Sequence, residues 1–275
     1  MPDLVTEGRC GESTLHRCLR PRTSDHWTRI DLRALTFAEP VGLTALATFA
    51  EEQLRAGHRV LVQRPEDASV ARYLARMRLD ETLTALGAEV DLPHVRARPL
   101  GNVLLELTRF DGHRGAGALA QMVHALIAPY DAEAANALHN GLCEAGINVV
   151  DHARRDGGFL AAQITHNGRR LSFAVSDSGI GLLRSLSRKG ARTDADALRM
   201  AIRPGISEHD DPGRGVGLSD MVRELSRLGG HLHLTSGRSS LLAPDTSEET
   251  HVWPQGITGT HLQGVIPLRH AVPLG

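Results

Sequence analysis

The stretch Leu142–Arg154, LCEAGINVVDHAR, sets the tightest condition on how this chain can fold. An α-helix turns about 100° per residue. Glu144, Asn148 and Asp151, separated by four and then three residues, therefore return to nearly one face. Polar groups removed from water cost free energy unless something pairs with them. A helix of this sequence cannot lay that face on an apolar layer, so the face meets water or a polar ligand.

The chain has 275 residues, enough for two ordinary domains, and its 41% hydrophobic content is that of a globular protein. Aromatic residues, at 3%, are scarce, so the cores must be built from Leu, Val, Ile and Ala. Lys+Arg 31 against Asp+Glu 32 leaves no basic footprint for nucleic acid. No apolar run approaches the length of a membrane span, and the start, MPDLVTEGRC, lacks the build of a secretory signal. Cys10, Cys18 and Cys143 cannot all pair and show no CxxC spacing, which points to a reduced cytoplasm. The 15 histidines include no HExxH-type pair and are read mostly as surface residues, with no metal site built from protein ligands alone.

Residues 1–25 are polar and mixed and predict a flexible arm. From Trp27 the pattern is regular. WTRIDLR alternates as a strand does, VGLTALATFAEEQLRAG has helical apolar spacing and stops at Gly57, and HRVLVQRP is a short strand closed by Pro65. SVARYLARMRLDETLTALG predicts one helix ending at Gly87. Strands alternating with helices indicate a small α/β layer over 26–98. The pattern breaks around LPHVRARPLGN, and a second domain is expected over 99–275.

That second half has a different rhythm. NVLLELTRF predicts a strand, and a helical region runs from about Ala116 to Ala153 with a break near Pro129. FLAAQIT and RLSFAVS read as strands joined by HNGR, whose Asn167-Gly168 suits a type I′ turn. After DSGIG comes a long polar stretch with one short helix, DADALRMAI, which Asp194 is placed to cap. GRGVGLSDMVRELSRLGG is a glycine loop running into a helix, and HLHLTSG and GTHLQGVIPL close as strands.

Each polar or glycine-rich junction is weak alone. The face Glu144/Asn148/Asp151 can be a solvated face, and DSGIG can be a plain turn. GRGVGLS can be a tight loop, or it can present backbone N–H groups and a helix N-terminus to phosphate. A dinucleotide-binding reading fails on context, because GRGVGLS comes after a polar loop instead of a strand.

Their order is informative. A helix with E-x3-N-x2-D-H, a strand ending in D-x-G-x-G, a long polar segment, G-x-G-x-G into a helix and a late G-T before a strand resembles the GHKL (Bergerat-fold) ATPase and kinase family. The resemblance covers roughly Leu100 to Leu268 and is similar in particular to anti-sigma serine kinases. It implies an α/β sandwich, a mixed or antiparallel sheet covered by helices, with a mobile lid over ATP between Leu182 and Pro212. It implies that Asp177 accepts from the exocyclic amine of adenine and that Gly179 and Gly181 fold the backbone around the base. Asn148 would hold Mg²⁺ with the phosphates, Glu144 would be the general base, and Asp151 would reach the nucleotide through water. Gly213, Arg214, Gly215, Val216, Gly217 and Leu218 would line the phosphates, and Thr260 would support the contact of Asp177 with adenine. No phospho-acceptor histidine pattern accompanies these motifs: the proline of HALIAP falls one residue late relative to His124.

The stretch Ile30–Leu79, which contains the loop FAEPVGL, resembles more loosely the STAS domain of anti-sigma antagonists. The positions of that family's phosphorylatable serine hold Pro40 and Val41, which have no hydroxyl, so this unit is not a kinase substrate there. Pro40 suits the first turn of a helix. The resemblance implies a docking or dimerising module, with a sensor of small molecules as the alternative. The two resemblances together leave three functions. The chain is an ATPase or protein serine kinase in regulatory signalling, a nucleotide-gated interaction protein with incidental hydrolysis, or a small-molecule phosphotransferase. The implied cofactors are ATP and Mg²⁺. The implied partner is a protein, a STAS-type antagonist or a sigma-factor-like regulator, with room for a homodimer, no direct nucleic-acid binding and no membrane.

Overall fold

Helix α2 (Pro40–Arg55) organises the molecule, because every residue from Pro40 to Glu51 is buried. A helix without a wet face needs apolar cover on both sides. The computed structural model, which describes residues 3–18, 26–95, 103–153, 155, 157–205, 217–243 and 248–270, supplies it with two sheets. The sequence favours this helix locally. Pro40 sits in its first turn, and Gly57, at φ +84°, turns the chain away after its last.

On one side lies a parallel sheet in the order β1 (Asp3–Val5), β3 (Trp27–Asp31), β5 (Arg59–Gln63), β6 (Glu89–Val90). Parallel neighbours need crossovers. Between β3 and β5 the crossover is α2, and between β5 and β6 it is the pair α3 (Ala68–Arg76) and α4 (Leu79–Leu86). A separate two-stranded ladder joins β2 (Gly8–Cys10) to β4 (Leu35–Ala38). On the other side is a five-stranded antiparallel sheet. Its order is β10 (His231–Ala243), β11 (Glu249–Pro267), β9 (Arg170–Asp177), β8 (Gly157–Thr165), β7 (Leu104–Asp111). Helices α5 (Gly112–Ile127), α6 (Ala132–His152) and α9 (Gly217–Arg227) cover its far face.

Strand alternation divides the second sheet between two cores. Phe159, Ala161 and Ala174 face α2, while Leu160, Ala162, Phe173 and Val175 face α5 and α6. Strands covered on both faces read as unbroken apolar runs, which is why FLAAQIT shows no alternation. The domain boundary expected near residue 99 lies in 96–102, outside the described residues. The units on either side of it share one core, because α2 packs on β8, β9 and β11 as well as on β5.

Several expectations are corrected. Residues 3–18 are not an arm over their described length: they form β1, β2 and α1 (Leu15–Cys18), and Leu4, Cys10 and Leu15 are buried. SVARYLARMRLDETLTALG is two helices. The carbonyl of Met77 accepts from Leu107 N–H at 3.1 Å, and Arg78 takes φ +59°, so the helix ends there and restarts. Thr165 pairs with Arg170 across a four-residue loop in which His166, Asn167 and Gly168 all have positive φ, longer than a two-residue type I′ turn. Helix α8 (Asp194–Ala201) is capped by Thr193, in a capping box with Asp196, and not by Asp194. The reading of most histidines as surface residues has three exceptions among the described residues, the buried His16, His233 and His261.

The N-terminal correction can be tested by denaturant unfolding of Leu15→Ala. A buried leucine truncated to alanine costs ~2–5 kcal/mol, whereas the same change in a solvated arm stays within ~0.5 kcal/mol. A loss in the first range is expected.

Candidate functional site

A cavity of about 850 Å³, counting its open mouth, lies between α6, the end of β9, α7 (Gly181–Leu186), the start of α9 and strands β10 and β11. Glu144 and Asn148, one turn apart on α6, both line it, with Ala145 and Val149 beside them. The polar face of LCEAGINVVDHAR therefore opens on a cavity. Asp151, one turn further on, is not among the lining residues. It lies near the end of α6, where the first turn of α5 comes alongside, and its Oδ1 pairs with His113 Nε2 at 2.7 Å.

At the deep end is Asp177, the last residue of β9, only 3% exposed. Its Oδ1 accepts from Gly179 N–H at 2.7 Å. Thr260, its register partner on β11, also donates to the carboxyl. Burial pushes the Asp177 carboxyl up to about 7, against the opposing pull of these donors and of the nearby Arg155 charge. The walls of the cavity are apolar, with Val175, Leu234 and Leu262 among them. An apolar slot that ends in a buried acceptor suits a flat ring carrying an N–H donor on its edge.

Two glycines make this geometry possible by close approach. A Cβ on Gly217, at the start of α9, would lie 1.7 Å from Glu144 Cγ, so only glycine lets that helix N-terminus meet Glu144. A Cβ on Gly259, at φ +77°, would lie 1.8 Å from the carbonyl oxygen of Asp177. Sequence reasoning does not single out Gly259 as a site residue, although the G-T preceding the last strand is its signal. It misses Ser236 too. The Oγ of Ser236 accepts from Leu182 N–H at 3.0 Å and donates to Gly259 O at 2.8 Å, which ties the start of α7 to the floor of the site. No motif marks it.

The structure brings Glu144, Asn148, Asp177, Gly181, Gly217, Leu218 and Thr260 to one cavity. Gly179 adjoins it through its hydrogen bond to Asp177. Gly213, Arg214, Gly215 and Val216 lie outside the described residues. The expected lid is, over 182–205, a docked helical segment. Ala197 and Leu198 of α8 are buried, and Asp194 accepts from Arg238 N–H at 2.8 Å on β10. Leu186 and Ala201 of this segment form part of the cavity wall. Among the described residues no group of three or more His, Cys, Asp or Glu side chains could hold a metal ion, and no helix is long and apolar enough to cross a membrane. A cation here would need a ligand to complete its coordination. A single amide oxygen such as that of Asn148 fits that role.

Residues 114–227 match the family model described as Histidine kinase-like ATPase domain, a span from the first turn of α5 to the end of α9. The mixed α/β architecture, an antiparallel sheet with helices on its face, agrees with a GHKL-type ATPase domain. Among solved structures the chain is similar to a mycobacterial sensor histidine kinase, MprB. The two are 19% identical over 48% of this chain and 75% of that one, with a TM-score of 0.27, too low for that superposition to carry any inference. No curated protein matches.

The buried carboxyl has a consequence for stability. Its ordinary value is 3.8 and in the folded chain it is about 7. Between those values the folded chain holds a proton that the unfolded chain has lost, so stability falls as pH rises through this window and the cost is complete above it. Asp177→Asn removes that cost. Thermal melts of the ligand-free variant should show a Tm roughly 5 °C above the parent at pH 8, with the gap closing towards pH 4. A variant less stable than the parent at pH 8 would contradict the buried-charge assignment.

Proposed function

We propose that the second unit binds Mg-ATP and transfers its γ-phosphoryl group to water or to a protein serine, in regulatory signalling inside the cytoplasm. One observation carries the reading: a buried carboxylate closes an apolar slot whose other lining residues include an acid and an amide one helical turn apart. Asp177 accepts from the exocyclic amine of adenine. A carboxylate is an acceptor only, so a base presenting a carbonyl at that edge is disfavoured. Gly179 N–H and Thr260 hold the carboxyl in place for this contact.

Asn148 is the residue to hold Mg²⁺ through its amide oxygen. The bound cation supplies neutralisation of phosphate charge during transfer. Glu144, pressed against the N-terminal glycine of α9, is the general base that takes the proton from the attacking hydroxyl or water. The N–H groups at the start of α9 are available to phosphate oxygens. The first unit, with its parallel sheet and α2, is read as a STAS-like docking module for a protein partner of antagonist or sigma-factor-like type.

A second reading has its own observation. Leu186 and Ala201 of the roof segment line the cavity directly, so a ligand's arrival bears on how α7 and α8 sit. A chain that uses ATP only to set that roof would be a nucleotide-gated interaction protein, and its ligand would matter through unequal affinity for two states.

Calorimetry and turnover with labelled ATP separate these readings. Glu144→Ala should keep Mg-ATP affinity within a few-fold and lose ~10²–10⁴ in rate, the usual contribution of a general base. Asp177→Asn should lose nucleotide binding. Equal turnover in Glu144→Ala and parent would remove Glu144 from the chemistry. Equal affinity in Asp177→Asn and parent would remove adenine from the site.

A further inference from the structure

Strand β9 ends Ser176–Asp177, Ser178 comes next, and alternation sends neighbouring side chains to opposite faces. Asp177 points to the cavity. Both serines point the other way, to α2. Ser176 Oγ and Thr44 Oγ1 are 2.7 Å apart and buried. Ser178 Oγ donates to Glu51 Oε2 at 2.5 Å, also buried. The other oxygen of Glu51 faces Arg55 at 3.3 Å and Arg109 at 3.7 Å, so a carboxylate only 5% exposed is held between two guanidinium groups and one hydroxyl. Helix α2 thus grips the residues on either side of Asp177, from behind the sheet.

We propose that Glu51 and Ser178 are positioning residues for base recognition at Asp177, an inference that rests on the nucleotide reading above. Neither reaches the cavity. They act on the backbone of 177–179, whose turn presents Gly179 N–H to Asp177 Oδ1 and thereby fixes which way the carboxyl points. The specificity of the second unit's site is in this way set in part by a helix of the first. A buried hydroxyl–carboxylate bond is costly to leave half-made, and hydrogen bonds to charged groups are among the stronger ones. The clamp is therefore stiff.

The test is calorimetry of the full chain with Mg-ATP and Mg-GTP, at a temperature well below each variant's Tm. Ser178→Ala and Glu51→Ala are each expected to weaken Mg-ATP binding about tenfold, the scale of one charge-assisted hydrogen bond, and to lower the preference for ATP over GTP. The double variant should lose no more than either single one, because the two side chains act as one unit. Glu51→Gln, whose amide oxygen still accepts from Ser178, should recover part of the loss. A purely structural role would lower Tm and leave both Kd and the ATP-to-GTP ratio unchanged, and that result overturns the proposal. Should Glu51→Ala fail to fold, because Arg55 loses its carboxylate and Arg109 keeps only Asp111, Ser178→Ala decides alone. Absence of ATP binding by the unmodified chain overturns the nucleotide reading itself and the positioning role with it. ATP binding by the parent together with wild-type behaviour of Ser178→Ala overturns only the positioning role.

Discussion

Burial of α2 around its whole circumference is the constraint on which the rest of the architecture depends. A helix of Leu, Ala, Val and Thr cannot be left on a surface. Here one flank meets the parallel sheet and the other meets β8, β9 and β11. The second contact is close because the facing strand residues include Ala161 and Ala174, whose small side chains let a helix approach. The antiparallel sheet is consequently covered on both faces, and its central strands can be apolar throughout. A chain poor in aromatic residues obtains an extended core this way, from many small contacts instead of a few large rings.

The price of the site is concentrated in one group. Asp177 is buried at the end of a central strand, where an apolar residue would need less desolvation. Burial favours its neutral form, while Gly179, Thr260 and Arg155 favour the charged one, and burial wins by enough to move the carboxyl to about 7. Such a group sits close to its protonation midpoint at neutral pH, so a ligand that donates to it also shifts its charge. The glycines at 217 and 259 belong to the same compromise, since each admits backbone or side chain to a place a Cβ would fill.

What could be read in advance depends on how local each signal is. Strand β3 and helices α2, α5 and α6 announce themselves by periodicity and by Pro40, Gly57 and Pro129, and β5, β8 and β9 by short apolar runs bounded by polar or turn residues. Glu144, Asn148, Asp177 and Thr260 were legible because the order of their motifs mattered more than any one of them. The break between α3 and α4 was not, because it depends on Leu107, thirty residues on from Met77, binding a carbonyl. The N-terminal elements are three or four residues long, too short for a period, and β1 and β2 are defined by parallel partners far along the chain. Asp151 has the right helical phase for the site. Its partner is His113 on another helix, and helical phase alone cannot foresee that. Ser236 lies in β10, near a bulge that no residue pattern declares.

The two serines flanking Asp177 show why the halves of this chain are hard to regard as separate modules. An apolar pair would have joined α2 to the strand with less desolvation, since a hydroxyl and a carboxylate both give up water on burial. What the polar contacts add is direction. A hydrophobic contact tolerates sliding, whereas Glu51 held by Arg55, Arg109 and Ser178 fixes one orientation of the loop after β9. Because successive residues of a strand face opposite ways, a restraint applied at 176 and 178 on the back of the sheet constrains 177 on its front without any contact in the cavity. The N-terminus of α2 is tied to the same sheet by Gln263, which accepts from Val41 N–H at 3.3 Å and donates to Glu39 at 3.0 Å. Any displacement of α2 along its axis therefore strains both anchors together, and the strand end that carries Asp177 is where one of those anchors terminates.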